Sequence, residues 1–326
     1  GIFGVLVISC QILLHDAAWG AFILVIGLIT MFLGALLAVF SIDFKRTLAC
    51  SSVSQIGFIL VGVGMQGLLG EHNEIAIRGT VLHMVNHSLF KLVLFLVAGV
   101  IFMNIHKLDL NDIRGFGRKK PLLKFIYLMG ALGIGGIPLW SGYISKTLLH
   151  ESMVEYIHEL EGGHILHSIF SLNAMEIFEW IFLISGGMTI AYMLKLYVAV
   201  FVEKNKDAVV QKKYDDKKTY MKSSNAGVLT ICAALFPIMG MLPYATMDKM
   251  ADMSEGFMGW NHAGHSVDYF TWVNLKGSVI SIAIGMVLYF GVVRTVLMKK
   301  QADGSRDYVN RWWKYFDLED YFYRPV

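Results

Sequence analysis

His83, His87 and Lys91 stand four residues apart in the run His83-Met-Val-Asn-His87-Ser-Leu-Phe-Lys91, inside an otherwise apolar stretch. In a helix, groups at i, i+4 and i+8 drift about 40° per step and span about 12 Å of axis. Two imidazoles and an ammonium therefore line one face as a ladder. Histidine changes charge between about pH 5 and 8, so such a ladder can pass protons without large free-energy steps. A Lys deep in an apolar span costs about 2.5–3.5 kcal/mol on insertion scales and faces a pathway or a partner. A single His in an apolar helix is more often a satisfied interior group, but three titratable groups on one face favour a relay. His at i, i+4 is also metal-ligand spacing; here the third group is a cation and no carboxylate lies nearby in sequence, which disfavours a metal.

A second candidate is Gly133-Ile-Gly-Gly136-Ile-Pro138-Leu-Trp-Ser-Gly142-Tyr-Ile-Ser-Lys146. Pro138 removes a backbone donor and clashes with the preceding turn, and the glycines permit non-helical dihedrals, so the helix is expected to break over Gly136, Pro138 and Gly142. Broken helices at membrane depth occur where they line a cavity. Lys146 would then sit just beyond the break. A plain proline kink with a Lys reaching outward from the helix end explains the motif alone equally well. Beside the His ladder, transport becomes the better reading.

Both candidates need a membrane to position them. The 326 residues are 56% hydrophobic and only 16% charged, with a mean hydropathy of +0.56, far more apolar than a soluble domain. Apolar stretches long enough to span a bilayer run over about 17–40, 51–70, 75–103, 122–149, 176–202, 224–243 and 272–298, with 1–14 as a partial eighth. They show neither ten-residue alternation nor regular turns, so the fold class is all-α, a polytopic transmembrane helical bundle rather than a barrel. Lys45 and Arg46 follow the first full span, Lys107 to Lys124 the third, and Lys204 to Lys222 the fifth, and the tail is basic again. The intervening connections hold His, Glu and Asp with scarcely a Lys or Arg. By the positive-inside rule 41–50, 104–121, 203–223 and 299–326 are cytoplasmic. The net charge of +3 is thus topological and gives no reason to invoke nucleic acid.

Other chemistry is missing from the sequence. There is no phosphate loop, no dinucleotide fingerprint, no HExxH and no nucleophile elbow. Cys10, Cys50 and Cys232 are far apart and fit no zinc, haem or iron–sulfur pattern. No cofactor, metal or bond chemistry is expected on this chain. It begins at Gly1 inside an apolar stretch without a charged leader, so a secretory signal is not expected and the sequence reads as a piece of something longer.

Three motifs, in order, carry a family resemblance. Asp43-Phe-Lys45-Arg46-Thr-Leu-Ala-Cys50-Ser51-Ser-Val-Ser-Gln55-Ile-Gly57 resembles the D-x-K-R-x-x-A-Y-S-[ST]-x-S-Q-x-G signature of the antiporter-like membrane subunits of respiratory complex I (NADH:quinone oxidoreductase), the Mrp cation/proton antiporters and the membrane-bound hydrogenases. His83-x-x-x-His87-x-x-x-Lys91 followed by Leu94-Phe-Leu-x-Ala-Gly99 is similar to the next motif, and Gly136-Ile-Pro138-x-x-Ser-Gly142-x-x-Ser-Lys146 to the broken-helix motif. Cys50 departs from the usual Tyr. The likeness covers about 1–202 well and the rest weakly.

The resemblance implies a core of two inverted five-helix repeats, each with a broken helix and a buried charge. Residues 1–14 would be the tail of a truncated helix, 15–202 the second, proton-conducting repeat, and 203–326 additional C-terminal helices with an amphipathic cytoplasmic tail. His83, His87 and Lys91 would form the central axis and Lys146 the terminal proton donor. Lys45 is as readily structural as part of the relay. Lys195 is expected to be a snorkelling anchor, with a place on the pathway as the lesser alternative. The stretch 203–222 reads as a solvated loop, 244–271, with His262 and His265, as an outer loop, and Tyr308 to Pro325 as an interfacial helix or docking surface. The implied function is a proton-translocating subunit, multi-pass in the cell's inner (plasma) membrane, serving a redox-driven complex. Its partners would be other membrane and redox subunits, protons or Na⁺, and lipid. A subunit of a multi-subunit Na⁺/H⁺ antiporter and a non-conducting scaffold are the alternatives.

Overall fold

A computed structural model describes residues 1–165, 168–257, 267–301 and 306–311. The elements in chain order are α1 (Ile2–Val7), extended by a widened turn at Ile8–Ile12, α2 (Ala17–Phe40), α3 (Phe44–Leu69), α4 (Glu74–Ile105), the single turn α5 (Leu110–Ile113), α6 (Pro121–Gly135), α7 (Ser141–Glu161), α8 (Leu172–Tyr197), α9 (Ala208–Asp216), α10 (Ser223–Met241), α11 (Met247–Phe257), α12 (Trp272–Leu288), and the strands β1 (Met298–Lys300) and β2 (Arg306–Tyr308). The protein is an all-α bundle. Among the described residues six helices are long and apolar enough to cross a membrane: α2, α3, α4, α10, and α8 and α12 with the widened turns that follow them. The expected span over 122–149 is instead divided between α6 and α7, neither of which meets that measure alone.

Helix starts follow short polar side chains, which accept from backbone N–H groups that have no partner in the first turn. Asp16 accepts from Trp19 N at 2.8 Å to open α2, Asp43 from Arg46 N at 2.7 Å to open α3, and Ser171 from Ala174 N at 3.3 Å to open α8. In lipid, helices associate by close van der Waals packing, which small residues permit. The pair α2 and α3 relies on this. A Cβ on Gly34 would lie 2.5 Å from Ser54 N, one on Gly64 2.6 Å from Leu24 N, and one on Gly57 would strike the Met31 backbone. That close contact buries α3, whose inner face carries the polar groups Ser51, Ser54, Gln55 and Gln66.

The bundle has two chemically distinct ends. At one, the α2–α3 and α4–α5 connections pair through a bridge between Asp43 and Asp109, and Gly115 N donates to Ala199 O at 3.0 Å. The basic loops gather here. The stretch 203–222, read as a solvated loop, is corrected: it contains α9, which buries Gln211 and Tyr214 and holds Lys120 Nζ through Tyr214 O at 2.8 Å. A two-stranded hairpin, β1 with β2, docks alongside, Tyr308 N donating to Asn111 Oδ1 at 2.9 Å. No strand was expected there. At the other end, α11 corrects the reading of 244–271 as loop. Buried Arg78 of α4 holds α11 through Asp252 at 2.7 Å and Asp248 at 3.3 Å. Arg78 was not singled out from the sequence, although an Arg in an apolar span signals a buried partner. His262, His265 and residues 312–326, which carry most of the expected docking tail, lie outside the described residues.

Candidate functional site

The break is built first. α6 closes with Gly136 at φ +72°, a left-handed conformation that glycine adopts without strain. Pro138 lies in the connection and cannot donate, and Leu139 takes φ +75°, unusual for a side chain of that size. The outside helices hold this strained segment: Ser278 Oγ of α12 donates to Gly136 O at 2.9 Å, and Gly240 of α10 lies so close to Leu139 and Trp140 that a Cβ would fall 2.5 Å from Leu139 O. Gly142 faces the Gly133 carbonyl with no room for a side chain, which lets the two half-helices overlap. α7 therefore starts inside the bundle, with Ser141, Ser145 and Lys146 buried.

Around the break runs a chain of polar side chains from four helices. Lys91 Nζ of α4 donates to Leu48 O at 2.9 Å and to Ser51 Oγ. One helical turn along α3 from Ser51, Gln55 places Oε1 3.1 Å from His83 Nε2 and Nε2 3.5 Å from Thr189 Oγ1. The Tyr192 hydroxyl lies beside Ser51, Gln55 and Thr189. On the other side of the imidazole, His83 Nδ1 is 3.0 Å from Ser145 Oγ, and Asn86 Nδ2 donates to the same hydroxyl at 3.1 Å and to Ser141 O at 2.9 Å. Every group from Lys91 to Ser145 is buried.

Lys146 points away from this chain into a cavity of about 30 Å³ lined by Phe58, Gly136, His150 and Ser278 among others. Its Nζ has no hydrogen-bond partner among the described residues and sits 4.7 Å from the centre of the Phe58 ring. Phe58 also touches His83, ring centres 5.8 Å apart, and so lies between the His83 chain and Lys146. A water needs about 10–15 Å³ of such space, so the cavity has room for about two.

The structure brings together His83, Lys91 and, next to them, Lys146; it separates the others. His87 is only half-buried, and its Nδ1 has no hydrogen-bond partner among the described residues. Lys45 is exposed at the start of α3, beside an apolar hollow lined by Phe95 and Phe102, and joins no internal chain among the described residues. Lys195 does not snorkel: it is 1% exposed, and its ammonium donates to Ala38 O at 3.0 Å, Val39 O at 2.7 Å and Ser41 O at 2.6 Å. It closes the C-terminal end of α2, where free carbonyls and the helix dipole favour a cation. The sequence reading missed Thr189 and Tyr192, and treated Ser51, Gln55, Asn86 and Ser145 only as parts of motifs. The available signal was polarity inside apolar spans, where each unpaired group costs free energy. Among the described residues no three His, Cys, Asp or Glu side chains are grouped so as to hold a metal ion.

Residues 1–168 match the family model described as NADH:quinone oxidoreductase/Mrp antiporter, TM. Hydrogenase-4 component B of Escherichia coli (strain K12) is 33% identical over 215 residues, 62% of this chain and 30% of the relative. Formate hydrogenlyase subunit 3 of the same organism is 30% identical over 62% of this chain and 33% of its own length. The Na(+)/H(+) antiporter subunit A1 of Staphylococcus haemolyticus (strain JCSC1435) is 29% identical over 76% of this chain and 31% of the relative. The chain thus spans about a third of the length of these curated relatives. Among solved structures, a chain of the Mrp complex from Dietzia sp. DQ12-45-1b superposes with a TM-score of 0.67 at 20% identity, covering 90% of this chain and 29% of that one, a likeness of fold.

Proposed function

This chain belongs to the NADH:quinone oxidoreductase/Mrp antiporter transmembrane family, and we propose that it moves protons along the buried line Lys91, Ser51, Gln55, His83 and Ser145, with Lys146 beyond it as the terminal donor. The single observation that carries this reading is the buried polar series through the centre of an apolar bundle, in which Lys91 Nζ bonds Ser51 Oγ and, one turn further along α3, Gln55 meets His83, whose other nitrogen meets Ser145 Oγ. Hydroxyl, amide and imidazole groups both donate and accept, or do so through neighbouring water, whereas a packing role would need only paired groups. Lys146 is buried without a hydrogen-bond partner among the described residues, a costly arrangement for a purely structural cation.

In this reading α2, α3, α4, the α6–α7 pair and α8 are the five helices of one conducting repeat over residues 15–202, and 1–14 belongs to the helix before it. The basic end, where α9 and the β1–β2 hairpin sit, faces the cytoplasm of a plasma-membrane protein, following the positive-inside rule. His87, half-exposed in mid-helix, faces whatever membrane helix packs on that side. Partners are further membrane subunits and a redox module, of hydrogenase type in keeping with the names of the two Escherichia coli relatives or of complex I type in keeping with the family description. The antiporter relative, which matches more of the chain, favours a second reading: a subunit of an Mrp-type assembly in which an existing gradient drives the same line.

The test is proton flux through the full-length, assembled protein in proteoliposomes. Lys146→Ala abolishes coupled flux if the line conducts; flux unchanged by this substitution makes the chain a scaffold. Mass spectrometry of the native complex separates the two assemblies, redox subunits marking one and small antiporter subunits the other.

A further inference from the structure

Beyond Lys146 the cavity leads to a pair of side chains that the line above does not use. His150 lies one turn further along α7 and lines the same space. Its Nε2 is 2.9 Å from Glu179 Oε1 of α8, and its side chain is 13% exposed while that of Glu179 is 27% exposed. The ring is fixed from three sides: Phe182 packs against it with centres 5.9 Å apart, Glu151 Oε1 stands 3.9 Å from Nδ1, and α12 presents Gly277, where a Cβ would come within 3.1 Å of Nδ1 and Cε1. Burial thus falls along a single direction, from Lys146 at 9% exposed, through the His150 imidazole, to a carboxylate that reaches the surface.

We propose that the His150–Glu179 pair is the proton-carrying station between Lys146 and the aqueous face at the α7–α8–α12 end of the bundle; this rests on the proton-line reading. The Lys146 ammonium gives a proton to water in the cavity, which delivers it to His150 Nδ1, while the Nε2 proton passes to Glu179 Oε1 across the 2.9 Å contact. One proton enters the ring and one leaves it, so the imidazole ends neutral in the other tautomer and resets by rotation or by return through water. Glu179 then releases its proton to solvent, and Lys146 is left neutral to be recharged. Two features of the wall fit the task. Gly136 and Gly277 leave the space between Lys146 and His150 open, and Asn274, Ser278 and Ser281 give waters there polar partners. The charged groups acting on the pair are Glu151 and His158 from α7 and Lys276 from α12. A clamp between α7 and α8 would explain the hydrogen bond alone, but not the shared cavity with an unpartnered Lys.

The experiment uses the full-length protein assembled with its partner subunits in proteoliposomes, with a pH dye read on the Lys146→Ala, Glu179→Gln, Glu179→Asp and His150→Gln proteins. Glu179→Gln keeps a hydrogen-bonding amide but cannot carry a proton, so flux falls roughly tenfold or more, and Glu179→Asp restores most of it. His150→Gln falls similarly and recovers when imidazole is supplied in the compartment that Glu179 faces. The pH profile of flux shifts in Glu179→Asp, which a clamp would not produce. Loss in Lys146→Ala beside wild-type flux in Glu179→Gln and His150→Gln overturns the station and leaves the line intact. Losses rescued by neither Asp nor imidazole also overturn it. Unchanged flux in Lys146→Ala overturns the line, and the station with it. Should Glu179→Gln fail to assemble, Gly277→Val serves instead, because its side chain enters the cavity beside His150: flux at the wild-type level then overturns the proposal.

Discussion

His83 and Ser145 meet across the α4–α7 interface, Nδ1 to Oγ at 3.0 Å, while the opposite ring nitrogen lies 3.1 Å from Gln55 Oε1. An amide oxygen only accepts, so the neutral ring carries its proton on Nε2 and keeps the Nδ1 lone pair toward α7. The imidazole is therefore oriented to exchange protons between two helices. Ser145→Ala removes the hydroxyl's contact with His83, worth about 1 kcal/mol, along with those to Asn86 and Gly142 O, and lowers flux about fivefold or more, and His83→Ala stops it. Steady-state proton flux in proteoliposomes checks both; equal rates in the two variants would show that the hydroxyl is as essential as the ring.

Phe58 interrupts the line. Its ring centre lies 5.8 Å from that of His83 and 4.7 Å from Lys146 Nζ, and Phe182 meets it edge-on at 4.8 Å between centres. An aromatic ring passes no proton, so transfer between His83 and Lys146 requires water to get past it. Phe58→Ala opens that gap and raises passive leak when a pH gradient is imposed without an energy source. Phe58→Trp narrows it and slows coupled flux. A leak equal to wild type in Phe58→Ala would show that the ring is not the barrier.

Lys195 is expected to act on stability rather than on flux. Its ammonium satisfies three carbonyls at the end of α2, and buried acceptors left without a donor cost about 1–3 kcal/mol. Lys195→Met lowers the midpoint of detergent unfolding, while the assembled fraction keeps its proton flux. A melting temperature at the wild-type value with flux lost would instead put Lys195 in the line.

Asp307 gives the hairpin a pH dependence. Partial burial pushes its carboxyl pKa up, but hydrogen bonds from Lys206 and Gln301, with the nearby Lys206 and Arg114 charges, hold it below the ordinary carboxylate value. A depressed pKa contributes stability that is complete above the unfolded value, about 3.9, and lost as pH falls through the folded one. Docking of β1 and β2 is thus constant near neutrality and weakens only below about pH 4. Hydrogen exchange of the Tyr308 amide, read at pH 6 and pH 3, detects this; Asp307→Asn shows the faster exchange at both.

The sequence determined the solvent, the fold class and the family, because each depends on local composition or on contiguous motifs: apolar length, the Asp43 to Gly57 signature, and the His83 to Lys91 spacing. It also located the segment in which α6 gives way to α7, since proline and glycine act on the backbone where they stand. Tertiary structure decided which side chains meet. Helical spacing puts His83, His87 and Lys91 on one face, but a face is wider than a pathway. Close α2–α3 packing turns Ser51 toward Lys91 and Gln55 toward His83, and only the α4–α7 contact supplies Ser145. Lys195 shows the same dependence from the other side: its position near a helix end suggested an interface, while its three carbonyl partners come from residues 154 to 157 positions away. Hydrogen bonds between distant segments leave no periodic trace in a sequence, because they are fixed by where whole helices pack and not by the order of residues along any one of them.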